Sequence, residues 1–360
     1  MIMDKKRILI IGAGLAGTSL AHEFLEDGHH VQLIDRGTNH STAVAAGMVN
    51  PLVFRRMNKS WRLDEFMSDA KLFYKNLESK LKTSFMHPMT IRRMIASQQE
   101  RNYWLKRANL EEYKAYLEDL NEEDDSYALA TNQFGSGRVK NAFWIDAHAY
   151  YEKNIQYFKH LGVLKIEDFD PTHFDPLERT YRHEHYDFVV FCLGYEQLNF
   201  SVFGELPIQP TKGQTLFIHS KEIPENESLN RKCFVLPVGD KKFRIGATYE
   251  WENTQLNPTE EGKLILEGHL SALGNYDYEI LGQQVGIRPT VKDRRPILGE
   301  HQKFPYIYVF NGLGTKGYLM APTLARELKN NMLQNKELLQ ELNVIRFNNL
   351  DETDGIKPRK

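Results

Sequence analysis

The chain has 360 residues, of which 41% are hydrophobic and 26% charged, and its formal net charge at pH 7 is −2. These values are typical of a soluble globular protein, and the length suits two packed domains. The near-neutral charge excludes a global bias toward nucleic acid or membrane. The only two cysteines, Cys192 and Cys233, lie in apolar runs, which predicts buried free thiols in strands and a reducing, cytoplasmic setting.

The first elements in chain order form a βαβ unit. Residues 7–11 are an aliphatic run typical of a buried parallel strand, residues 15–27 have helical periodicity, and residues 31–34 predict the next strand. A glycine-rich turn joins the first strand to the helix; its residues are Gly12, Ala13, Gly14, Leu15, Ala16 and Gly17.

This turn predicts a dinucleotide-binding site. The first glycine permits a tight turn, the second lets a pyrophosphate approach the backbone, and the third lets helix and strand pack closely. The helix N-terminus attracts phosphates. Asp35 ends the second strand, 23 positions after Gly12, and Arg36 follows it. A carboxylate at this position accepts hydrogen bonds from ribose hydroxyls. The motif alone does not distinguish NAD from FAD, and a purely structural turn is the alternative.

The remaining predicted elements are of two kinds: helices with buried strands, and short strands separated by turns. Helical periodicity predicts helices at 63–81, 98–109, 148–161, 259–273 and 319–332. Continuous apolar runs predict buried strands at 188–192 and 306–310. Between them, residues 211–248 contain short strands separated by turns, at 215–218, 233–236 and 243–247.

These sequence patterns predict an α/β fold with a Rossmann-type domain and an interleaved α+β domain built on an antiparallel sheet. The predicted dinucleotide-binding domain is discontinuous and comprises residues 1–60, 140–206 and 286–346. The predicted substrate domain comprises residues 61–139 and 207–285, and residues 347–360 are expected to form a flexible tail.

Three further segments resemble the D-amino-acid oxidase superfamily, in particular glycine oxidases and the flavin domain of a bacterial tRNA-modifying protein. They are the small-residue run 41–51, residues 210–214, and residues 286–290 together with the glycine-rich stretch 311–322. The resemblance covers most of the chain and is weakest at residues 75–141. It implies non-covalent FAD, because the covalently flavinylated relatives carry a cysteine beside the arginine segment and this chain has none there.

The resemblance also implies which residues contact the flavin. Small side chains at 41–51 let backbone N–H groups reach the cofactor, with a tight helix crossing as the structural alternative. The last helix is expected to point its N-terminus at the pyrimidine edge of the flavin, where negative charge develops. The implied contacts beyond the first turn are Thr42, Ala43, Ala46, Gly47, Met48, Cys192, Leu193, Gly194, Gly312, Leu313, Gly314, Thr315, Lys316, Gly317, Tyr318 and Leu319.

The implied reaction moves a hydride from Cα of an amine to flavin N5 and leaves an imine that water hydrolyses. Arg288, carried over from the family position, is expected to hold a substrate carboxylate with its guanidinium fork; a structural arginine beside Pro289 is the alternative. Arg244 either lies over the flavin, where a cation promotes oxygen reduction, or faces solvent. Molecular oxygen or another acceptor would take the electrons.

Two departures from glycine oxidase leave the substrate open. Phe234 stands where glycine oxidase has a substrate-contacting tyrosine, and Thr315 where it has a substrate-contacting arginine. The competing interpretation is an RNA-modifying flavoenzyme that oxidises a carboxymethylamino group on tRNA. It is favoured by the 311–322 pattern and by a cluster of basic residues, Arg55, Arg56, Lys59, Arg62, Arg92 and Arg93. A non-catalytic flavoprotein is the third possibility, and no histidine spacing indicates a metal site.

Overall fold

The computed structural model describes residues 4–38, 41–121, 127, 129–252 and 254–347. The chain divides into two compact units: unit 1 contains residues 1–42, 151–210 and 288–360, and unit 2 contains residues 43–150 and 211–287. Residues 43–60 and 140–150 therefore group with the second unit and not with the predicted dinucleotide-binding domain. The predicted flexible tail, apart from its first residue, lies outside the described residues.

The described helices alternate with strands along the chain. The six α-helices that the structure describes are α1 Leu15–Glu26, α2 Leu63–Leu81, α3 Gln98–Ala108, α4 Ala147–His160, α5 Glu260–Leu273 and α6 Gly317–Gln334. Short 3₁₀ turns lie at Phe54–Arg56, Glu111–Tyr113, Pro171–His173, Gly194–Asn199 and Val344–Phe347.

Strands vary from two residues to thirteen. The first ten are β1 Arg7–Ile11, β2 His30–Asp35, β3 Met48–Val49, β4 Leu52–Val53, β5 Asn58–Lys59, β6 Met86–Met94, β7 Leu117–Asn121, β8 Ser136–Ile145, β9 Leu164–Ile166 and β10 Phe174–Asp175. The others are β11 Thr180–Tyr181, β12 Glu184–His185, β13 Phe188–Phe191, β14 Ile208–His219, β15 Ser228–Asn230, β16 Phe234–Gly239, β17 Lys242–Gly246, β18 Glu279–Val291, β19 Ile297–Glu300 and β20 Ile307–Asn311.

Unit 1 is built on a six-stranded sheet with the order β19-β20-β13-β1-β2-β9. All neighbours pair in parallel except β19, which runs antiparallel to β20. Ile8, Leu9, Ile10 and Ile11 of β1 are fully buried, as expected for a central strand covered on both faces. The carboxyl ends of β1, β2, β13 and β20 therefore lie along one edge of the sheet, where open α/β folds bind ligands.

Unit 2 is built on a nine-stranded sheet with the order β18-β14-β17-β16-β15-β6-β8-β3, and β7 also pairs with β8. Antiparallel pairing predominates, and β15 runs parallel to β6. One face packs against α5 through a core that includes Leu216, Val235, Ile245, Leu266 and Leu270. The predicted fold class, a Rossmann-type domain with an interleaved antiparallel-sheet domain, is confirmed.

The predicted helices agree with the structure to within two residues at most ends, and α2 has the predicted bounds. Strands β6, β7 and β8 were not predicted from the sequence. Cys192 and Cys233 are buried and free, but each lies one residue outside a strand, after β13 and before β16. Within the part of the chain described, no helix combines the length and apolarity needed to span a membrane.

Candidate functional site

The turn between β1 and α1 admits only glycine at two positions. Gly12 has a φ of +102°, and a Cβ there would lie 2.5 Å from the carbonyl oxygen of Cys192. A Cβ at Gly17 would lie 1.9 Å from the carbonyl oxygen of Gly12. Gly14 is the N-cap of α1 and provides no side-chain cap. The N-cap residue therefore takes up no first-turn N–H group of α1, and the N–H of Leu15 donates instead to Thr42 Oγ1 at 2.9 Å. The N-terminus of α1 still presents its partial positive charge to a ligand such as a phosphate.

Asp35 is fixed at the end of β2 by the backbone of the same edge. Its Oδ2 accepts from the N–H of Ala13 at 2.7 Å, and its Oδ1 accepts from the N–H of Gly37 at 2.8 Å. Burial raises the pKa of the Asp35 carboxyl, while these hydrogen bonds and the charge of Arg36 oppose that rise. Since each carboxylate oxygen can accept two hydrogen bonds, Asp35 retains capacity for ribose hydroxyls.

Arg36 points to a partner within unit 1. Its Nη2 lies 2.7 Å from Oε1 of Glu196, and its side chain is 39% exposed. Such a surface ion pair contributes little to stability. Arg36 thus has a structural partner of its own beside the predicted cofactor role.

The loops after β13 and β20 are joined at the same edge of the sheet. Asn311, buried at the end of β20, donates from Nδ2 to the carbonyl oxygen of Gly194 at 2.9 Å. Its Oδ1 accepts from the N–H of Gly312 at 2.8 Å. Asn311 was not among the predicted site residues. The signal that could have found it is a buried amide at the carboxyl end of a parallel strand, directly before a glycine-rich loop.

The loop between β20 and α6 is tightly packed against neighbouring elements. Gly312 and Gly314 have φ values of +72° and +55°, and a Cβ at Gly317 would lie 2.9 Å from Cδ2 of Leu15. Because of this close approach, α6 can begin directly beside the first residue of α1. Lys316 is the N-cap of α6, and burial lowers its pKa to about 8.

Thr42 connects the first turns of α1 and α6. Its Oγ1 accepts from the N–H of Leu15 at 2.9 Å, and its carbonyl oxygen accepts from the Tyr318 hydroxyl at 3.0 Å. Thr42 is 6% exposed. The structure therefore brings together the predicted residues Gly12–Gly17, Asp35, Thr42, Gly194 and 312–319 within unit 1.

Of the small-residue segment, Ala43 through Met48 belong to unit 2. Gly47 has a φ of +69°, and a Cβ there would lie 1.8 Å from the carbonyl oxygen of Ile145. The N–H of Ile145 donates to the carbonyl oxygen of Gly47 at 3.0 Å, and Met48 pairs with Trp144 of β8. The close approach of strand β8 accounts for glycine at 47, and this differs from both sequence explanations, flavin access and a helix crossing.

Arg244 is half-buried on β17, and its guanidinium has defined partners in unit 2. Nη1 donates to the carbonyl oxygen of Ala45 at 2.6 Å, and Nη2 donates to Oε1 of Gln284 at 2.6 Å. Backbone oxygen of the 43–47 segment thus takes up one arm of the fork, while the other arm lies at an exposed position. The predicted position of Arg244 over the flavin stays a prediction.

Arg288 lies near the end of β18 and is half-buried, and Thr315 is exposed in the loop before α6. The residue after Arg288 is tied to this loop, since the N–H of Gly314 donates to the carbonyl oxygen of Pro289 at 3.1 Å. Both residues belong to unit 1. Their predicted contacts with substrate and flavin stay predictions.

Residues 210–214 lie within β14. Lys212 and Gln214 are both fully buried. The Gln214 Nε2 donates to Glu250 Oε1 at 2.7 Å and to Thr259 Oγ1 at 2.8 Å, and Lys212 Nζ donates to the carbonyl oxygen of Asn257 at 3.1 Å. This motif therefore connects the sheet of unit 2 to the start of α5.

Most of the predicted basic cluster is neutralised. Arg92 and Arg93 are buried, with ion pairs to Glu227 at 2.8 Å and to Glu100 at 2.5 Å. Lys59 and Arg62 lie 2.6 Å from the carboxylates of Asp64 and Glu65. Only two of the six cluster residues are exposed, and these are Arg55 and Arg56. The described residues also contain no group of three His, Cys, Asp or Glu side chains placed to hold a metal ion.

A mainly parallel sheet whose edge carries a glycine turn, an acid at the end of its second strand and two helix N-termini defines a dinucleotide-binding protein of the Rossmann type. The turn excludes a Cβ where the pyrophosphate would pass, so these residues fit such a cofactor. The chain belongs to the FAD dependent oxidoreductase (DAO) family, whose profile matches residues 7–330. It is therefore an FAD-dependent oxidoreductase, and the resemblance predicted from the motifs is confirmed.

Two curated relatives and one solved structure illustrate the likeness. Glycine oxidase of Bacillus subtilis is 23% identical over 363 residues, covering 92% of this chain and 94% of the relative. The tRNA 5-methylaminomethyl-2-thiouridine biosynthesis bifunctional protein MnmC of Marinobacter nauticus is 22% identical over 357 residues, which are 91% of this chain but 55% of that protein. The structure of iminodiacetate oxidase from Chelativorans sp. BNC1 has a TM-score of 0.75 at 19% identity and covers 93% and 96% of the two chains.

Proposed function

We propose that this protein oxidises the C–N bond of a small amino acid or N-substituted amino acid that carries a carboxylate beside the reacting carbon. Bound FAD supplies the acceptor for the hydride that leaves Cα, and the imine product is hydrolysed by water. Arg288 binds the substrate carboxylate through two parallel hydrogen bonds, which fix both its distance and its direction. The protein's own contribution is therefore to orient the substrate.

The observation that carries the proposal is the hydrogen bond between Gly314 N–H and the Pro289 carbonyl, 3.1 Å long. It fixes the backbone next to Arg288 against the loop that leads into α6. A Cβ at Gly312 would also lie 2.8 Å from Cγ2 of Val291, so loop and strand are in close contact. Binding of a carboxylate by an arginine on such a braced strand therefore requires no further ordering of the backbone.

Two relatives support the substrate class. Glycine oxidase and iminodiacetate oxidase are named for compounds that have a carboxylate next to the carbon of the C–N bond. Phe234 and Thr315 replace the tyrosine and arginine expected at substrate-contacting positions, so glycine itself is not implied as the substrate within this class.

The first experiment identifies the substrate class. Purified yellow protein is mixed without oxygen with amino acids, N-methyl and N-carboxymethyl amino acids, the matched amino acid amides, and tRNA with or without the carboxymethylaminomethyl group. Loss of the visible flavin absorbance reports reduction. Bleaching by the carboxylate amines is the expected result, whereas bleaching by the modified tRNA alone would replace this proposal with the RNA one.

Arg288→Leu should lower the rate of flavin reduction by a carboxylate substrate at limiting concentration. The expected loss is about 2–5 kcal/mol of transition-state stabilisation, roughly 30-fold to several thousand-fold in rate, because the substrate carboxylate loses its positively charged partner. The amide of the same amino acid should lose far less. Stopped-flow reduction measures both.

The matched control is Arg294→Leu, an exposed arginine six positions further along the same chain segment. It should leave the reduction rate unchanged. Equal losses for acid and amide in Arg288→Leu would mean that Arg288 has a structural role and would contradict the proposal.

A tRNA substrate is the second candidate, favoured by the 22% identity to MnmC over 91% of this chain. This chain corresponds to 55% of that protein. Binding to phosphates requires exposed cations, and Arg92 and Arg93 are instead buried in ion pairs. The free-amine proposal therefore comes first, and the tRNA arm of the experiment tests the second.

A further inference from the structure

Arg244 contacts the backbone of the segment that follows Thr42. Its Nη1 donates to the carbonyl oxygen of Ala45 at 2.6 Å and lies 3.5 Å from that of Val44. The other arm of the fork, Nη2, donates to Oε1 of Gln284 at 2.6 Å. Because charge-assisted hydrogen bonds from one planar group fix distance and direction together, the 44–45 peptide is held in one position.

The same segment is held on its other side by strand β8. The N–H of Ile145 donates to the carbonyl oxygen of Gly47 at 3.0 Å, and only a glycine fits there, since a Cβ would lie 1.8 Å from the Ile145 carbonyl oxygen. Residues 43–47 are therefore braced between an arginine of β17 and the end of β8, and they lie outside the helices and strands.

The segment starts at the dinucleotide site. Thr42 precedes Ala43 directly, and it accepts from the first N–H of α1 and from the Tyr318 hydroxyl of α6. The backbone of residues 43–47 thus leaves from the point at which the two helix N-termini meet. Because Ala43 is covalently joined to Thr42, a fixed backbone at residues 43–47 restricts the backbone of Thr42, which contacts the starts of both helices.

We propose that Arg244 is a positioning residue for FAD, which acts by fixing the backbone of residues 43–47, and that it is not an oxygen-activating cation. The role depends on the fork geometry, because one guanidinium holds a backbone carbonyl and Gln284 at once. A lysine has the same charge, but its single ammonium is not a planar fork and does not reproduce this pair of contacts. The proposal concerns cofactor binding and is independent of which amine is oxidised.

The test uses Arg244→Lys and Arg244→Met, with Lys242→Met as matched control two positions away on the same strand face. FAD affinity is measured by titrating the deflavinated protein, and the visible spectrum of the bound flavin is recorded. Both Arg244 variants should bind FAD about 10- to 100-fold more weakly, as expected for loss of a charge-assisted hydrogen bond. The position of the flavin absorbance bands should also shift, and Lys242→Met should match the unaltered protein.

Gln284→Ala provides a milder variant, since Gln284 is exposed and its loss does not disturb a core. It should weaken FAD binding about two- to tenfold. Thermal unfolding of each deflavinated variant separates a local effect from failure to fold, and if Arg244→Met does not fold, Arg244→Lys and Gln284→Ala decide the question.

The oxygen-activation alternative gives a different pattern. Arg244→Met would then keep FAD affinity and spectrum and slow only the reoxidation of reduced flavin by oxygen, while Arg244→Lys would retain full reoxidation. That pattern would overturn the proposal, as would unchanged FAD affinity in all three variants. Failure of the amine panel described above would leave this result unaffected, because no substrate is present.

Discussion

At the scale of single residues, Gly12 shows why a glycine pattern has predictive value. Two separate constraints act on it: a backbone φ of +102° and a Cβ position 2.5 Å from the Cys192 carbonyl oxygen. The first constraint is local and the second comes from the loop after β13, which is far away in sequence. Only the first can be recognised from the spacing of glycines.

Gly12→Ala should therefore destabilise the deflavinated protein by more than its φ alone requires. The positive φ costs about 1–2 kcal/mol for alanine, and the clash with the Cys192 carbonyl adds to it. Gly162→Ala is the control, since Gly162 has a φ of +69° and nothing within 4 Å of its Cβ position. Denaturant unfolding compares the two free energies; equal losses would show that the turn opens without cost.

The buried arginines show where prediction from single residues fails. Arg92 and Arg93 belong to a strand, and their charges are compensated by Glu227 and Glu100. Glu227 is 135 positions from Arg92. The sequence shows charge but not partners, and for this reason an arginine pair that looks like a phosphate-binding patch is part of an ion-pair network inside unit 2.

At the scale of secondary-structure elements, the start of α5 combines two functions in Thr259. Its Oγ1 caps the helix by accepting from the N–H of Gly262 at 3.1 Å and also accepts from Gln214 Nε2 at 2.8 Å. Gln214 is fully buried on β14. The cap thus starts the helix and also connects it to the sheet.

Thr259→Ala should cost more than loss of an ordinary N-cap. An N-cap contributes about 1 kcal/mol, and a buried amide left with one partner fewer adds to the loss. Ser97→Ala at the start of α3 is the matched control, because Ser97 caps by accepting from the N–H of Glu100 at 3.2 Å. Urea unfolding should show the larger loss for Thr259→Ala; losses of equal size would mean that Gln214 finds another partner.

The elements of unit 1 were predictable because their signals are local. The strand, glycine turn and helix at residues 7–26 follow from apolar periodicity and glycine spacing. Strands β6 and β8 are antiparallel partners, and Ile91 of β6 lies opposite Val139 of β8. Pro88, Arg92 and Arg93 interrupt the apolar pattern of β6. Strand β6 is stabilised by pairing with strands that are distant in sequence, so no short stretch of the sequence predicts it.

At the scale of the whole molecule, the contrast between local signals and pairing of distant segments also explains how well the unit boundaries were predicted. The chain passes between them at residues 42, 150, 210 and 287. The sequence predicted three segments for one unit and two for the other, with boundaries displaced by up to 18 residues at the first crossing. The displacement arises because β3 pairs with β8 through Met48 and Trp144, a two-residue contact that no composition change indicates.

FAD binding at the dinucleotide site can be measured through the free energy of unfolding of the protein. If FAD binds the folded chain and not the unfolded one, then above the dissociation constant each tenfold increase in free FAD should add about 1.4 kcal/mol to the free energy of unfolding. Thermal unfolding of deflavinated protein at several FAD concentrations measures this, and ADP, which lacks the flavin, should give a smaller gain. NADP should give none if Asp35 faces the ribose as predicted, because its carboxylate would repel a 2′-phosphate. An equal gain with NADP would mean that Asp35 does not face the ribose, since the carboxylate fixed by Ala13 and Gly37 could not then accept its hydroxyls.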